Sequence, residues 1–336
     1  MSALNKVLGI RYPFIQAPMA GGLLDASFVA EVSNFGFLGS IPTGYLSLSQ
    51  IKTFIKDVQA RTSRPFALNI FVDYMTYGKT KLLKPKNILE YERLFKDEVE
   101  ECFVVGEIPL MDEILECVLE LKVPIVSTTF GLLSKDHVDA LKRSKVKILS
   151  TINSVYELEL VLSTQSPDAI VFQSALAGGH KGGFTSLPYS ENLEVLKVLK
   201  DLECNIPCIL AGAIATKEDA NLALEQGFDG VQVGSSFLCT KESKASLEYK
   251  NAIINGDKTG FTTAITGKKA RAIQNKLSTM SIDDNLGFPF MHYATATLRK
   301  LAKEQGNPDY QALWCGEGIS KIDKEQDLVK YMESLI

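Results

Sequence analysis

Histidine is scarce in this chain: among 336 residues only His137, His180 and His292 carry an imidazole. No second histidine and no carboxylate stands at metal-ligand spacing from His180, which argues against a structural zinc and leaves no expected metal. The six cysteines, Cys102, Cys117, Cys204, Cys208, Cys239 and Cys315, include no C-x-x-C pair, and several lie in apolar runs where a free thiol is a small hydrophobe. That usage predicts a reducing, cytoplasmic setting. Lys and Arg form no stripe that could hold a phosphate backbone, and the formal net charge is −4, so nucleic acid is not an expected partner. The first eleven residues lack the apolar core of a signal peptide and no apolar run is long enough to span a bilayer, so a soluble protein with no membrane partner is expected. Internal repeats and low-complexity segments are absent too.

What is present is a 46% apolar composition, enough to bury a large core. Short β-like runs occur at Pro13–Ala17, Phe37–Ile41, Phe66–Phe71, Pro124–Ser127, Lys147–Thr151, Ala169–Gln173, Pro207–Ala211 and Gly230–Val233. Between them fall helical patterns at Ser27–Asn34, Ser49–Ala60, Met111–Leu121, Lys135–Arg143, Val155–Ser163, Asn192–Asp201 and Lys217–Gln226. The last carries its own punctuation, with Thr216 and Asp219 as a capping box and Gly227 as the left-handed stop. Eight β-α units predict an α/β protein, a (β/α)8 TIM barrel, with a doubly wound open sheet as the competing architecture because periodicity cannot show closure.

Two regions interrupt the alternation. The organisation expected is a barrel over 1–243 with an insertion at 73–109, a mostly helical cap on the substrate side at 244–308, and a segment at 309–336 that returns to the barrel. The insertion begins with Lys79, Lys81, Lys84 and Lys86 and predicts a solvated, mixed-charge helix from about Ile88 to Cys102. An insertion after strand 3 also stands where a lid would.

Ligands of such barrels sit at the carboxyl ends of the strands, with phosphate often at the loops after strands 7 and 8. Here those loops read Ala211-Gly-Ala-Ile214 and Gly234-Ser-Ser-Phe-Leu238. Their small residues let backbone N–H groups approach a phosphate, and a helix starting near Ser235 would aim its positive end there. Neither loop is a P-loop or a G-x-G-x-x-G turn, which points to a mononucleotide rather than a triphosphate or a Rossmann-bound dinucleotide. Strand 1 ends in Gln16-Ala17-Pro18-Met19-Ala20, a small-residue rim against which a planar ring could lie, although Met19 also suits core packing. Asn69 and Gln173 are carboxamides in strands that should be buried, so each needs partners, either neighbouring backbone or a ligand's amide edge. After strand 6 comes Ala177-Gly-Gly-His-Lys-Gly-Gly183, a glycine-rich turn that presents His180, the side chain best suited to moving protons near neutral pH. His137 reads as an exposed helical residue and His292 as a lesser candidate. No G-x-S-x-G elbow supports a Ser-His-Asp hydrolase.

These residues resemble the nitronate monooxygenases, formerly called 2-nitropropane dioxygenases. The resemblance runs through Gln16–Gly22, Leu68–Val72, Thr129–Gly131, Ala177–Gly182, Ala211–Ile214 and Gly230–Leu238, then Thr263–Arg271, Asn275 and Tyr310–Gly316. Its Ala-Gly-Gly-His motif is similar to that of class I members. The resemblance implies a TIM barrel that holds FMN non-covalently and oxidises alkyl nitronates, such as propionate 3-nitronate, with O2 to carbonyl compounds and nitrite. It implies FMN contacts from Ala17, Pro18, Met19, Asn69, Gln173, Gly178, Gly179, Ala211, Gly212, Ala213, Gly234 and Ser235, with His180 catalytic and a homodimer left open. His180 would hydrogen-bond nitronate oxygens when protonated, or take the α-proton of a nitroalkane when neutral. Lys181 could tune its pKa. The chain departs from the family pattern at Leu176, where a Glu is usual, at Ala213 for Gly, and at Thr216–Asp219; a carboxylate lost beside His180 would alter the pocket's polarity. The rivals are a flavin-dependent enoyl-acyl-carrier-protein reductase using NAD(P)H and a non-catalytic flavin-binding protein.

Overall fold

Runs such as Phe66–Phe71 and Ala169–Gln173 are apolar at nearly every position, the pattern of parallel strands covered on both faces. In the computed structural model, which describes residues 2–72, 79–106, 108–282 and 284–336, both are buried almost throughout. The barrel strands are β1 (Phe14–Gln16), β2 (Gly39–Pro42), β3 (Phe66–Phe71), β4 (Ile125–Thr129), β5 (Lys147–Ile152), β6 (Ala169–Gln173), β7 (Cys208–Ala211) and β8 (Gly230–Val233). They pair in parallel in the order β1-β8-β7-β6-β5-β4-β3-β2.

The ring closes between β1 and β2. Ile15 bridges Leu38, with Gln16 N–H donating to the Leu38 carbonyl and Leu38 N–H to the Phe14 carbonyl, both at 2.9 Å. Beyond that bridge a side chain continues the seam, since the buried Gln16 accepts the Ser40 N–H on Oε1 at 2.8 Å. The closed barrel therefore replaces the open sheet, which would leave β1 and β2 as unpaired edges.

Inside the barrel Ile15, Leu38, Ala67, Ile125, Leu149, Val171 and Ile209 pack on one another, and Leu4 and Leu8 of an N-terminal helix, Ala3–Leu8, close that cluster from below. The sequence offered no expectation of that helix. Outside the strands two larger apolar layers lie under the helices. Each predicted barrel helix forms within one residue of its expected ends. Lys217–Gln226 keeps its punctuation: Thr216 accepts the Asp219 N–H, Asp219 accepts the Thr216 N–H, and Gly227 stops the helix at φ 113°.

The insertion differs from expectation. Residues 73–78, its first six, and residue 107 lie outside the described residues. Its helix covers only Lys86–Glu92, and Cys102–Val105 is a strand paired antiparallel with Thr80–Leu83. Two features of the sequence favour this result. Asp97, Glu98, Glu100 and Glu101 would repel one another on a continued helix, while Phe103 and Val105 bury alternate positions of a strand. Nor is the segment merely solvated: Lys84 and Glu92 form an ion pair at 2.7 Å, both almost wholly buried, and Ile88, Phe103 and Val105 pack against Ile265, Leu277, Met291 and Leu298.

Residues 244–308 supply the helices Leu247–Ile254, Phe290–Ala294 and Ala296–Glu304, together with a β pair, Thr259–Thr262 and Ala270–Ile273. The chain then returns beneath the barrel helices, where Leu328, Tyr331 and Met332 join the outer core. No helix among the described residues is long and apolar enough to cross a membrane.

Candidate active site

All thirteen residues expected at the site line one pocket at the carboxyl ends of the strands. Its floor is backbone. A Cβ on Gly178 would lie 2.6 Å from the Cys315 carbonyl carbon and the Gly316 nitrogen, so only glycine lets the loop after β6 cross the segment Trp314–Gly316. The crossing is tied by Glu317 N–H to the Leu176 carbonyl (2.9 Å) and by Gly316 N–H to Ser235 Oγ (3.0 Å). Gly316, Gly318 and Ile322 thereby become a wall beside Gly212, Ala213, Gly234 and Ser235.

Ala213 stands in the left-handed region at φ 56°, where a Cβ is strained. Replacing it with glycine should raise stability by about 0.5–1 kcal/mol, the relieved strain less glycine's greater chain entropy. Thermal melts measure this, and a lower melting temperature for Ala213→Gly would refute it.

The two expected carboxamides are already engaged. Asn69 donates from Nδ2 to Ser127 Oγ at 3.0 Å and accepts the Thr129 hydroxyl at 3.2 Å. Gln173 accepts the Gly182 N–H (2.7 Å) and Asn153 Nδ2 (3.0 Å), and donates to the His180 carbonyl at 2.9 Å. Gln232, one position before the end of β8, lines the same pocket with no hydrogen bond from its carboxamide among the described residues. It was missed as a site residue. The signal was an amide inside the apolar run Gly230–Val233, the reasoning that picked out Asn69 and Gln173. Met19 lines the pocket and also packs into two apolar clusters, so both of its readings hold geometrically.

His180 stands on a strand and not in a free turn. Gly179–His180 is the edge of a three-stranded antiparallel sheet, pairing with Ala270 and Arg271 of the neighbouring strand. Its Nε2 is 2.8 Å from Thr266 Oγ1, and the ring sits among Trp314, Phe130 and Phe288 with centroids 5.3, 5.8 and 5.9 Å away. Burial, helped by the charge of Lys268, pushes its pKa down to about 3, so the imidazole is neutral near pH 7. Lys181 is not the tuning cation: its ammonium binds the Thr185 and Leu187 carbonyls. Leu176 is about half exposed and does not line the pocket, so its side chain does not replace a carboxylate beside the imidazole.

His137 pairs on the surface with Asp112 at 2.7 Å. His292 does line the pocket, stacked on Tyr45 at 3.5 Å, and burial pushes its pKa well down. Beside it is Arg299, absent from the sequence expectation. Arg299 donates to the His292 carbonyl (2.7 Å) and to Thr295 Oγ1 (3.1 Å), and no carboxylate among the described residues pairs with it. Burial lowers its pKa to about 10, which still leaves a cation at neutral pH. The helical spacing 295, 299, 302 puts Arg299 on the buried face with Thr295 and Ala302, a clue that periodicity could have supplied.

A neutral imidazole and a buried guanidinium with no carboxylate partner among the described residues thus share one pocket. Such a pocket can draw in an anion and exchange a proton with it.

Comparison with known proteins agrees with this arrangement. The profile of the family described as "Nitronate monooxygenase" matches residues 1–336. A Staphylococcus saprophyticus protein named "Probable nitronate monooxygenase" is 33% identical over 94% of this chain and 91% of its own length. A Bacillus subtilis protein of the same name is 29% identical over 100% of this chain and 98% of its own. Among solved structures, the nitroalkane oxidase of Streptomyces ansochromogenes superposes with a TM-score of 0.85 at 27% identity, covering 99% of this chain and 96% of that one. FabK from Thermotoga maritima, at 21% identity and a TM-score of 0.76, covers 100% of this chain and 94% of its own and shares the fold.

Proposed function

Because the chain belongs to the nitronate monooxygenase family of oxidoreductases, we propose that it binds FMN in this pocket and oxidises small alkyl nitronates with O2 to a carbonyl compound and nitrite. The observation that carries the reading is Arg299, a buried cation lining the pocket with no acidic partner among the described residues. A guanidinium removed from water and left unpaired costs free energy that an anionic ligand offsets. A nitronate is such an anion.

The residues fit a flavin mononucleotide. A Cβ on Gly21 or Gly179 would meet no atom within 4 Å, so the backbone there borders open space against which a flat ring could lie. Gln232 offers an unused amide edge, and Gly212, Ala213, Gly234 and Ser235 would receive the phosphate. When bound, FMN would supply the electron acceptor and the place where O2 reacts.

The rest falls to the chain's own groups. Arg299 draws in and orients the anion. The three aromatic rings around His180 exclude water. Thr266 Oγ1 lies 3.4 Å from the Lys268 carbonyl; with its proton directed there, it accepts from His180 Nε2–H and leaves the Nδ1 lone pair as the base. An imidazole held neutral by burial is a weak base, which favours substrates that arrive already deprotonated.

Purified protein tests the reading. A yellow colour with an FMN spectrum is expected, with anaerobic bleaching by ethylnitronate and not by NADH. Bleaching by NADH would favour the reductase reading, and a colourless protein that takes up no FMN would end the proposal.

A further inference from the structure

Four consecutive backbone N–H groups, those of residues 182–185, lie just after the site histidine, and each is captured by a side chain. Gly182 donates to Gln173 Oε1 at 2.7 Å and Gly183 to Asn153 Oδ1. Phe184 and Thr185 donate to Glu157 Oε1 at 2.8 and 2.7 Å, and the Thr185 hydroxyl adds a third bond to the same oxygen at 2.7 Å. Glu157 Oε2 accepts the Asn153 N–H at 2.6 Å, and Asn153 donates to Gln173 Oε1, which links the three acceptors into one network. Glu157 and Asn153 are fully buried. Gly183 has no room for a Cβ between their carboxylate and carboxamide oxygens.

Glu157 is the third residue of the helix Val155–Thr164, and a carboxylate there ordinarily reaches back to the helix's first N–H groups. Oε2 does that work at Asn153. Oε1 does something a cap does not need: it holds a loop from the neighbouring β-α unit. No basic side chain forms an ion pair with Glu157 among the described residues, so donors of the His180 loop supply most of what its buried charge requires. On the other side, the strand Ala270–Ile273 and the Lys269 carbonyl hold residues 179–181.

We infer that Glu157, acting through Asn153 and the amides of residues 182–185, is a positioning residue that fixes His180 for proton transfer. This rests on the proposed function, in which His180 is the base. The carboxylate never meets the substrate. It keeps the segment after His180 from shifting, and a misplacement of about 1 Å at a reacting group can cost about 10²-fold in rate.

The test uses Glu157→Gln in the FMN-loaded protein, since the amide retains the shape and loses half of the acceptors. Hydrogen exchange over residues 179–187 should accelerate about tenfold or more, as for loss of a charged hydrogen bond, while the barrel strands keep the parent's protection. Turnover of nitroethane should fall about tenfold or more relative to ethylnitronate, with FMN affinity unchanged. In a His180→Gln background, Glu157→Gln should add nothing to the loss on nitroethane, which a merely structural residue would not show. Parent-like exchange, equal loss on both substrates, or additive losses would each overturn the inference. If Glu157→Gln does not fold, Thr185→Val removes one donor to the same oxygen and should give the same pattern at smaller size; its absence there overturns the inference equally. Should the parent turn over neither substrate, the proposed function falls, and the exchange experiment alone decides whether Glu157 holds the loop.

Discussion

His180→Gln should fold, should take up FMN if the proposed function holds, and should turn over nitroethane about 10²–10⁴-fold more slowly than the parent, the usual worth of a general base. Ethylnitronate turnover falls much less, because that substrate arrives without the proton the base would take. Glutamine keeps a polar group near Thr266 Oγ1 and the aromatic surround, so the lost property is basicity rather than packing. Steady-state rates on the two substrates give the ratio directly, and parent-like rates on both would remove His180 from the reaction.

The same variant reports on the histidine's burial through acid stability. In the folded protein the pKa lies near 3, against an ordinary value of 6.5. Below about pH 6.5 the unfolded chain takes up a proton that the folded imidazole refuses, so stability falls as the pH drops from 6.5 toward 3. The slope from this one group is at most about 1.4 kcal/mol per pH unit. Glutamine has no such penalty, so His180→Gln should gain on the parent steadily across that window. His292 remains in both proteins, its pKa still held down chiefly by burial and by the Arg299 charge.

Arg299→Met is the second large effect, and it separates binding from stability. The KM for ethylnitronate should rise about 30-fold or more, since truncating a buried charged partner costs roughly 2–5 kcal/mol. The melting temperature should hold or rise, because methionine ends the desolvation cost of a guanidinium that no carboxylate among the described residues repays. If Arg299 instead had a hidden structural partner, the variant would lose about 3–5 kcal/mol of stability, as when one member of a buried pair is removed. Melting curves and KM measured together distinguish the outcomes.

The barrel was legible because its strands are short apolar runs and its helices carry capping residues, both local signals. Gln16 shows where locality ends. It is the residue just before Ala17 in a small-residue rim, yet its amide completes the seam with Ser40, a partner that no sequence pattern names. Asn69 is buried and Gln173 partly so, and both hold partners as amides in such strands must, but the choice between backbone and ligand depends on which segments fold beside them. The Lys268 and Arg299 cations come from beyond the barrel, from a region whose alternation is broken, so that only the helical spacing around Arg299 hinted at its place. The shortening of the helix expected from Ile88 to Cys102 was a question of competition, since mixed charge suits a helix surface until four carboxylates crowd within five residues.

The crossing of Gly178 and Gly316 sets an order of assembly. Gly316, Gly318 and Ile322 wall the pocket, yet they follow every barrel strand in the chain. On the ribosome the eight strands are therefore made while that side of the pocket is still open. That wall is completed only once residues 314–322 have been made and lie across the loop after β6.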